Sequence, residues 1–96
     1  MPVTPEQINK AIDIAREYGA SRLLLFGSAL TDPDNANDLD LGVDGIKGLK
    51  FFEYGGALDF ALKIPVDIVD LSSNTRFINH IKKTGKFIYD TTRNTS

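Results

Sequence analysis

The sequence contains no cysteine and no tryptophan. The first absence excludes a disulfide framework and any thiolate metal site, and it fits a reducing compartment. A strong excess of charge is also missing. The formal net charge is −2, with 25% of residues charged. That balance lacks the basic surface that general nucleic-acid binding needs. No apolar run approaches the roughly 20 residues needed to span a bilayer. The opening residues, Met1-Pro2-Val3-Thr4-Pro5-Glu6, have neither the basic nor the apolar region of a signal peptide. These absences lead to an expectation of a cytoplasmic protein that makes no membrane contact. Its 96 residues, 42% hydrophobic, are read as a single domain with a core over about 5–90 and a flexible polar tail over 91–96.

The remainder of the sequence is ordered by short periodic segments. Thr4-Pro5-Glu6-Gln7 reads as a helix start, with a capping Thr, Pro in the first turn and Gln three residues on. Ile8, Ala11, Ile12 and Ala15 continue at helical spacing to about 18, where Gly19 ends the helix. Ser21 to Phe26 is a short apolar run that fits a buried strand, broken by Gly27-Ser28. Thr31 to Asn37 is dense in turn formers. Asp38 to Val43 alternates acid and aliphatic, a strand with Leu39, Leu41 and Val43 on one side and Asp38 and Asp40 on the other.

A second helix is expected over about 49–63. Gly55 and Gly56 each cost it about 1 kcal/mol relative to Ala, which implies close packing or an irregular turn. Of its aromatics, Phe51, Phe52, Tyr54 and Phe60 read as core and partner surface. Ile64 to Leu71 reads as a third strand. Ser72, Ser73 or Asn74 caps a third helix, stopped by Gly85, and His80 is a helix residue rather than a ligand. Phe87-Ile88-Tyr89 is a short edge strand. The expected fold is α/β (α+β): a small mixed sheet of 3–4 strands covered by helices.

Strands normally exclude Asp, so Asp38 and Asp40 need a reason. Two carboxylates about 7 Å apart along a strand can converge on cations. A third from a neighbouring strand, Asp67 or Asp70 in Val66-Asp67-Ile68-Val69-Asp70, would complete a hard oxygen site suited to Mg²⁺ or Mn²⁺. Gly27 lets backbone approach a ligand closely. Ser28, opening a short helix, would offer N–H groups and a hydroxyl to phosphates.

Gly27-Ser28, Asp38-Leu39-Asp40 and Asp67 within Val66-Asp67-Ile68-Val69 resemble the minimal nucleotidyltransferase domain of the DNA polymerase β-like superfamily, over roughly residues 5–90. The resemblance implies that Asp38 and Asp40 hold two Mg²⁺ or Mn²⁺ ions. It implies that Asp67, preferred over Asp70 because it lies inside the aliphatic run, binds one ion and helps deprotonate an acceptor hydroxyl. Gly27 and Ser28 would hold the β- and γ-phosphates of an NTP, ATP foremost. The implied reaction is transfer of a nucleoside monophosphate (AMP foremost) with release of pyrophosphate. Small members pair with a separately encoded all-helical protein of the HEPN type and act as its antitoxin; a homo-oligomer is also compatible. Where many members carry Arg after Gly-Ser, this chain has Ala29-Leu30-Thr31, leaving Lys47, Lys50 or Lys63 to supply charge. That departure favours a second reading, a catalytically weak or inactive binding module.

Overall fold

Thr4 opens the first helix as the sequence demands: its side chain accepts from the Gln7 N–H at 3.2 Å, while Gln7 Oε1 accepts from the Thr4 N–H at 2.9 Å. This reciprocal cap satisfies two donors that the first turn would leave unpaired. The computed structural model describes residues 3–92. The elements are α1 (Pro5–Glu17), β1 (Arg22–Phe26), α2 (Ser28–Thr31), β2 (Leu39–Asp44), α3 (Leu49–Leu62), β3 (Val66–Asp70), α4 (Arg76–Thr84) and β4 (Lys86–Asp90). Among the described residues, no helix is long and apolar enough to cross a membrane.

The four strands form one mixed sheet in the order β3-β2-β1-β4. β1 runs antiparallel to β2 and to β4, and β2 runs parallel to β3. A mixed α/β sheet covered by helices is thus the fold, and Phe87 to Tyr89 lie in an edge strand, β4. Alternation along the strands divides the core in two. Leu23, Leu25, Leu39, Leu41 and Val43 are buried with Ala11 and Ala15 of α1 and Tyr54, Leu58 and Leu62 of α3. Leu24 faces the other way, in a smaller cluster with Leu71, Ile78 and Ile81, onto which Phe26, Val69 and Phe87 pack. Full burial of each such Leu or Ile stabilises the fold by about 1.5–3 kcal/mol. Tyr54, fully buried, donates its hydroxyl to the Ala11 carbonyl at 3.2 Å and so ties α3 to α1.

Several boundaries differ from the sequence expectation. β2 starts at Leu39 rather than Asp38, because the ladder to β3 begins with the pair Leu39↔Val66; Asp38 sits in the bend just before it. The cap of α4 is Thr75, whose Oγ1 accepts from the Ile78 N–H at 3.1 Å, rather than Ser72, Ser73 or Asn74. Ser72 is already committed, since its N–H and hydroxyl both donate to Asp70 Oδ1. α3 runs unbroken through both glycines. At Gly55 a Cβ would stand 3.2 Å from Ile68 Cδ1, so close packing accounts for that residue, whereas Gly56 faces open space. Of the expected tail, residues 93–96 lie outside the described residues; Thr91 is held, its N–H and hydroxyl donating to the Ser21 carbonyl at 2.8 and 2.9 Å.

Candidate active site

Three neighbouring strands place one residue each in a row across the sheet: Phe26, Asp40 and Asp67 are successive Cα partners. Asp40 alternates with the buried Leu39 and Leu41, so its carboxylate leaves the sheet on the face that carries α4. Asp38, at the entry to β2, and Asp67, on the edge strand β3, bring their carboxylates to the same place. One oxygen from each of Asp38, Asp40 and Asp67 lies within 4.8 Å of the other two. Asp38 and Asp40 are half-buried and Asp67 is exposed.

Asp40 pays electrostatically for this position. Its pKa is raised above the ordinary 3.8, first by burial and then by the charges of Asp38 and Asp67. Burial and like charges both disfavour the carboxylate form, and a bound cation would offset the like-charge repulsion directly. Gly27 closes the site from the β1 side. It adopts φ +77°, ψ −157° as the N-cap residue of α2, and a Cβ there would collide with the Asp40 carboxylate. The donor set is all carboxylate oxygen, the chemistry that suits Mg²⁺ or Mn²⁺, and the glycine leaves Asp40 the room to reach it. The residues present therefore fit a divalent cation.

The structure separates the two candidates for the third acid. Asp70 pairs with Val43, three positions further along β3 than the Asp40–Asp67 pair. Its Oδ1 accepts from the Ser72 N–H at 2.9 Å and the Ser72 hydroxyl at 2.7 Å, and these bonds hold its pKa below the usual carboxylate value. Asp70 organises the turn into α4; it is not in the cluster. Lys47 contributes charge near Asp70. His80 lies exposed on α4.

Ser28 is exposed at the start of α2, a single turn held by the Leu30 and Thr31 N–H groups donating to the Gly27 carbonyl at 3.1 and 3.2 Å. The next residue, Ala29, is only 3% exposed and belongs to the main core. The position after Ser28, where the resemblance implies an arginine, thus points inward and is filled by a methyl group. Sequence reading anticipated Gly27 as a site of close approach to a ligand; that its nearest neighbour is Asp40 depends on the β1–β2 register and had no local signal.

The family model described as polymerase beta, nucleotidyltransferase matches residues 9–94. No curated protein matches the chain. Among solved structures, a chain from a toxin–antitoxin crystal structure with AMP-PNP is 28% identical, with a TM-score of 0.73 over 88% of this chain and 73% of that one. A chain from a mutant of the MntA–HpeT toxin–antitoxin pair is 26% identical, with a TM-score of 0.74 over the same shares, 88% and 73%. A chain from the complex of a tri-AMPylated Shewanella oneidensis HEPN toxin with its MNT antitoxin is 25% identical, with a TM-score of 0.70 over 88% and 71%.

Proposed function

The chain belongs to the polymerase beta nucleotidyltransferase family, and on that premise we propose that it transfers AMP from ATP to a hydroxyl on a separately encoded, all-helical HEPN-type protein, acting as that protein's antitoxin. The observation that carries this reading is the convergence of Asp38, Asp40 and Asp67 within 4.8 Å, packed against a glycine. The similar chains come from toxin–antitoxin structures, one with AMP-PNP and one with an AMPylated HEPN toxin, which supports both the nucleotide and the partner.

In this reading Asp38 and Asp40 hold two Mg²⁺ or Mn²⁺ ions and Asp67 contributes to one of them. Bound there, the ions supply positive charge to the triphosphate and to the oxygens entering and leaving the α-phosphorus. The Gly27 backbone and the Ser28 hydroxyl hold the β- and γ-phosphates, with Gly27 free to approach because it carries no side chain. Asp67, the most exposed of the three acids, accepts the proton of the incoming hydroxyl. The acceptor oxygen bonds to the α-phosphorus as the bond to pyrophosphate breaks.

A second reading, a binding module with little or no activity, is favoured by Ala29, which fills with core packing the place of an expected phosphate-binding cation. One experiment separates the two. The protein is mixed with Mg²⁺, radiolabelled ATP and the purified HEPN-type helical partner. Label on the partner that disappears in the double variant Asp38→Asn/Asp40→Asn supports transfer. Tight partner binding with no label from any NTP supports the binding module and sinks the enzyme.

A further inference from the structure

β3 is an edge strand, and it carries Asp67, the acid that meets the incoming hydroxyl in the reading above. Two bonds fix which backbone groups face its free edge. The Leu39 N–H donates to the Pro65 carbonyl at 3.0 Å, and the Leu71 N–H donates to the Val43 carbonyl at 2.9 Å. Backbone direction alternates along a strand, so Asp67 and Val69, like Pro65 and Leu71, turn their backbone groups to β2. Val66 and Ile68 turn theirs outward, and neither is bonded elsewhere among the described residues. The side chains alternate as well. Val69 leaves the sheet on the α4 face, against the cluster of Leu24 and Leu71, and Asp67 leaves with it. Val66 and Ile68 leave on the α3 face, half-buried against the main core.

The geometry of this edge suits a further strand. Its register with β2 runs unbroken from Leu39↔Val66 to Val43↔Asp70. β4, the opposite edge, has a register shift between Leu23 and Leu24, an irregularity of the kind that discourages pairing. An antiparallel strand laid along β3 would form hydrogen-bonded pairs with Val66 and Ile68. The residue opposite Asp67 then falls in a non-hydrogen-bonded pair, where Cα atoms approach to about 4.5 Å and side chains are nearest. It projects on the α4 face and extends the row Phe26, Asp40, Asp67 by one place. A hydroxyl there comes within reach of the Asp67 carboxylate, as proton transfer requires. Its two neighbours fall on the α3 face beside Val66 and Ile68, where apolar side chains would complete their burial.

We propose that the acceptor is an extended segment of the helical partner, a loop or a terminus, that pairs antiparallel with β3 through Val66 and Ile68 and sets a hydroxyl residue opposite Asp67. This rests on the transfer reading above and specifies its acceptor: a hydroxyl residue flanked on both sides by apolar ones. Strand addition supplies affinity through backbone bonds, and the alternate side chains supply selection. The acceptor oxygen bonds to the α-phosphorus, pyrophosphate leaves, and the hydroxyl proton passes to Asp67.

Residue-resolved amide hydrogen exchange tests the edge in the wild-type protein. It is measured with Mg²⁺ and the α,β-methylene analogue of ATP, which cannot transfer AMP, before and after addition of the purified HEPN-type partner. The Val66 and Ile68 amides should exchange freely in the isolated protein and slow by about 10²-fold or more in the complex. Those of Asp67 and Val69, bonded to β2, should be protected throughout. A second measurement reads the acceptor. A short synthetic peptide centred on the partner residue that takes label from ATP should itself be labelled. N-methylation of the residue on either side of the hydroxyl residue removes an N–H that faces β3 and should lower transfer about 10-fold. N-methylation of the hydroxyl residue, whose N–H points away, should leave transfer unchanged. Partner labelling without protection of Val66 and Ile68 overturns the edge and leaves the transfer intact. So does a peptide that takes no label, or one whose labelling ignores the position of the N-methyl group. If the partner is neither bound nor labelled, the transfer reading fails and takes this acceptor site with it. Protection of Val66 and Ile68 that rises with the concentration of the isolated protein would assign the edge to a second copy and overturn the proposal.

Discussion

Replacing Asp40 by Asn tests the carboxylate site without needing a partner or a substrate. At 4.8 Å, the upper limit of the spacing between the three carboxylate oxygens, Coulomb's law gives about 0.9 kcal/mol of repulsion per carboxylate pair at the dielectric of water and several-fold more inside protein. Asp40 faces two such pairs and is half-buried, so solvent screening holds the sum near the lower limit, about 1–2 kcal/mol. The isosteric amide removes this repulsion and the desolvation of the charge. Metal-free Asp40→Asn is therefore expected to be more stable than wild type at pH 7 by about 1–2 kcal/mol, a rise in melting temperature of roughly 4–16 °C for a domain of this size. The pH dependence follows from the direction of the shift. Asp40 has a folded-state pKa above 3.8, so the native protein binds the extra proton and loses stability as pH rises through that value. The advantage of the variant should be absent below about pH 3.8 and complete at neutral pH. The cation acts in the opposite sense: at 100 times its Kd it stabilises wild type by about 2.7 kcal/mol, and it should stabilise the variant far less. Thermal melts in EDTA and in Mg²⁺, from pH 3 to 8, measure all of this. A variant that melts below wild type in EDTA, or one that gains as much from Mg²⁺ as wild type does, refutes the reasoning.

Gly27→Ala meets a positive φ and the Asp40 carboxylate at once; displacement of the acid by about 1 Å should reduce AMP transfer by about 10²-fold, measured as label on the partner. Gly42→Ala places a Cβ 2.5 Å from Leu71 Cδ2, and should cost about 1–3 kcal/mol in denaturant unfolding through overpacking between β2 and Leu71. Tyr54→Phe removes the bond to the Ala11 carbonyl and should cost about 1 kcal/mol with no change in Mg²⁺ binding. Asp70, whose pKa is lowered by Ser72, contributes stability that is present above pH 3.8 and lost as pH falls through the folded value; Asp70→Ala should therefore flatten the acid limb of the stability curve while leaving Mg²⁺ binding unchanged.

The elements were legible where the signal was local. The Thr4–Gln7 cap, the helical spacing of Ala11 and Ala15, and the alternation of Leu39, Leu41 and Val43 with Asp40 all survive in the fold, because each depends on residues within one or two turns or pleats. The cap of α4 was misplaced because Ser72, a good capping residue by type, is taken by Asp70, a competition that propensity does not weigh. The aromatics of α3 looked alike in sequence, yet Tyr54 is buried and Phe60 almost fully exposed; two glycines blurred the helical period that would have sorted them. The residue after Ser28 looked like a gap in the phosphate site, whereas burial of Ala29 makes it part of the core.

Chain order and residue type alone determined which groups could bind a hard cation: two aspartates two positions apart, a lone acid in a later aliphatic run, and a glycine at the end of a strand. Only the tertiary structure decided which of them meet. The parallel register of β2 with β3 sets Asp67 beside Asp40 and sends Asp70 to Val43, and the antiparallel register of β1 with β2 brings Gly27 against the Asp40 carboxylate. Register is fixed by pairing between segments remote in sequence, and a shift of one residue would turn these side chains to the opposite face. The donors were written locally; their convergence is a property of the sheet.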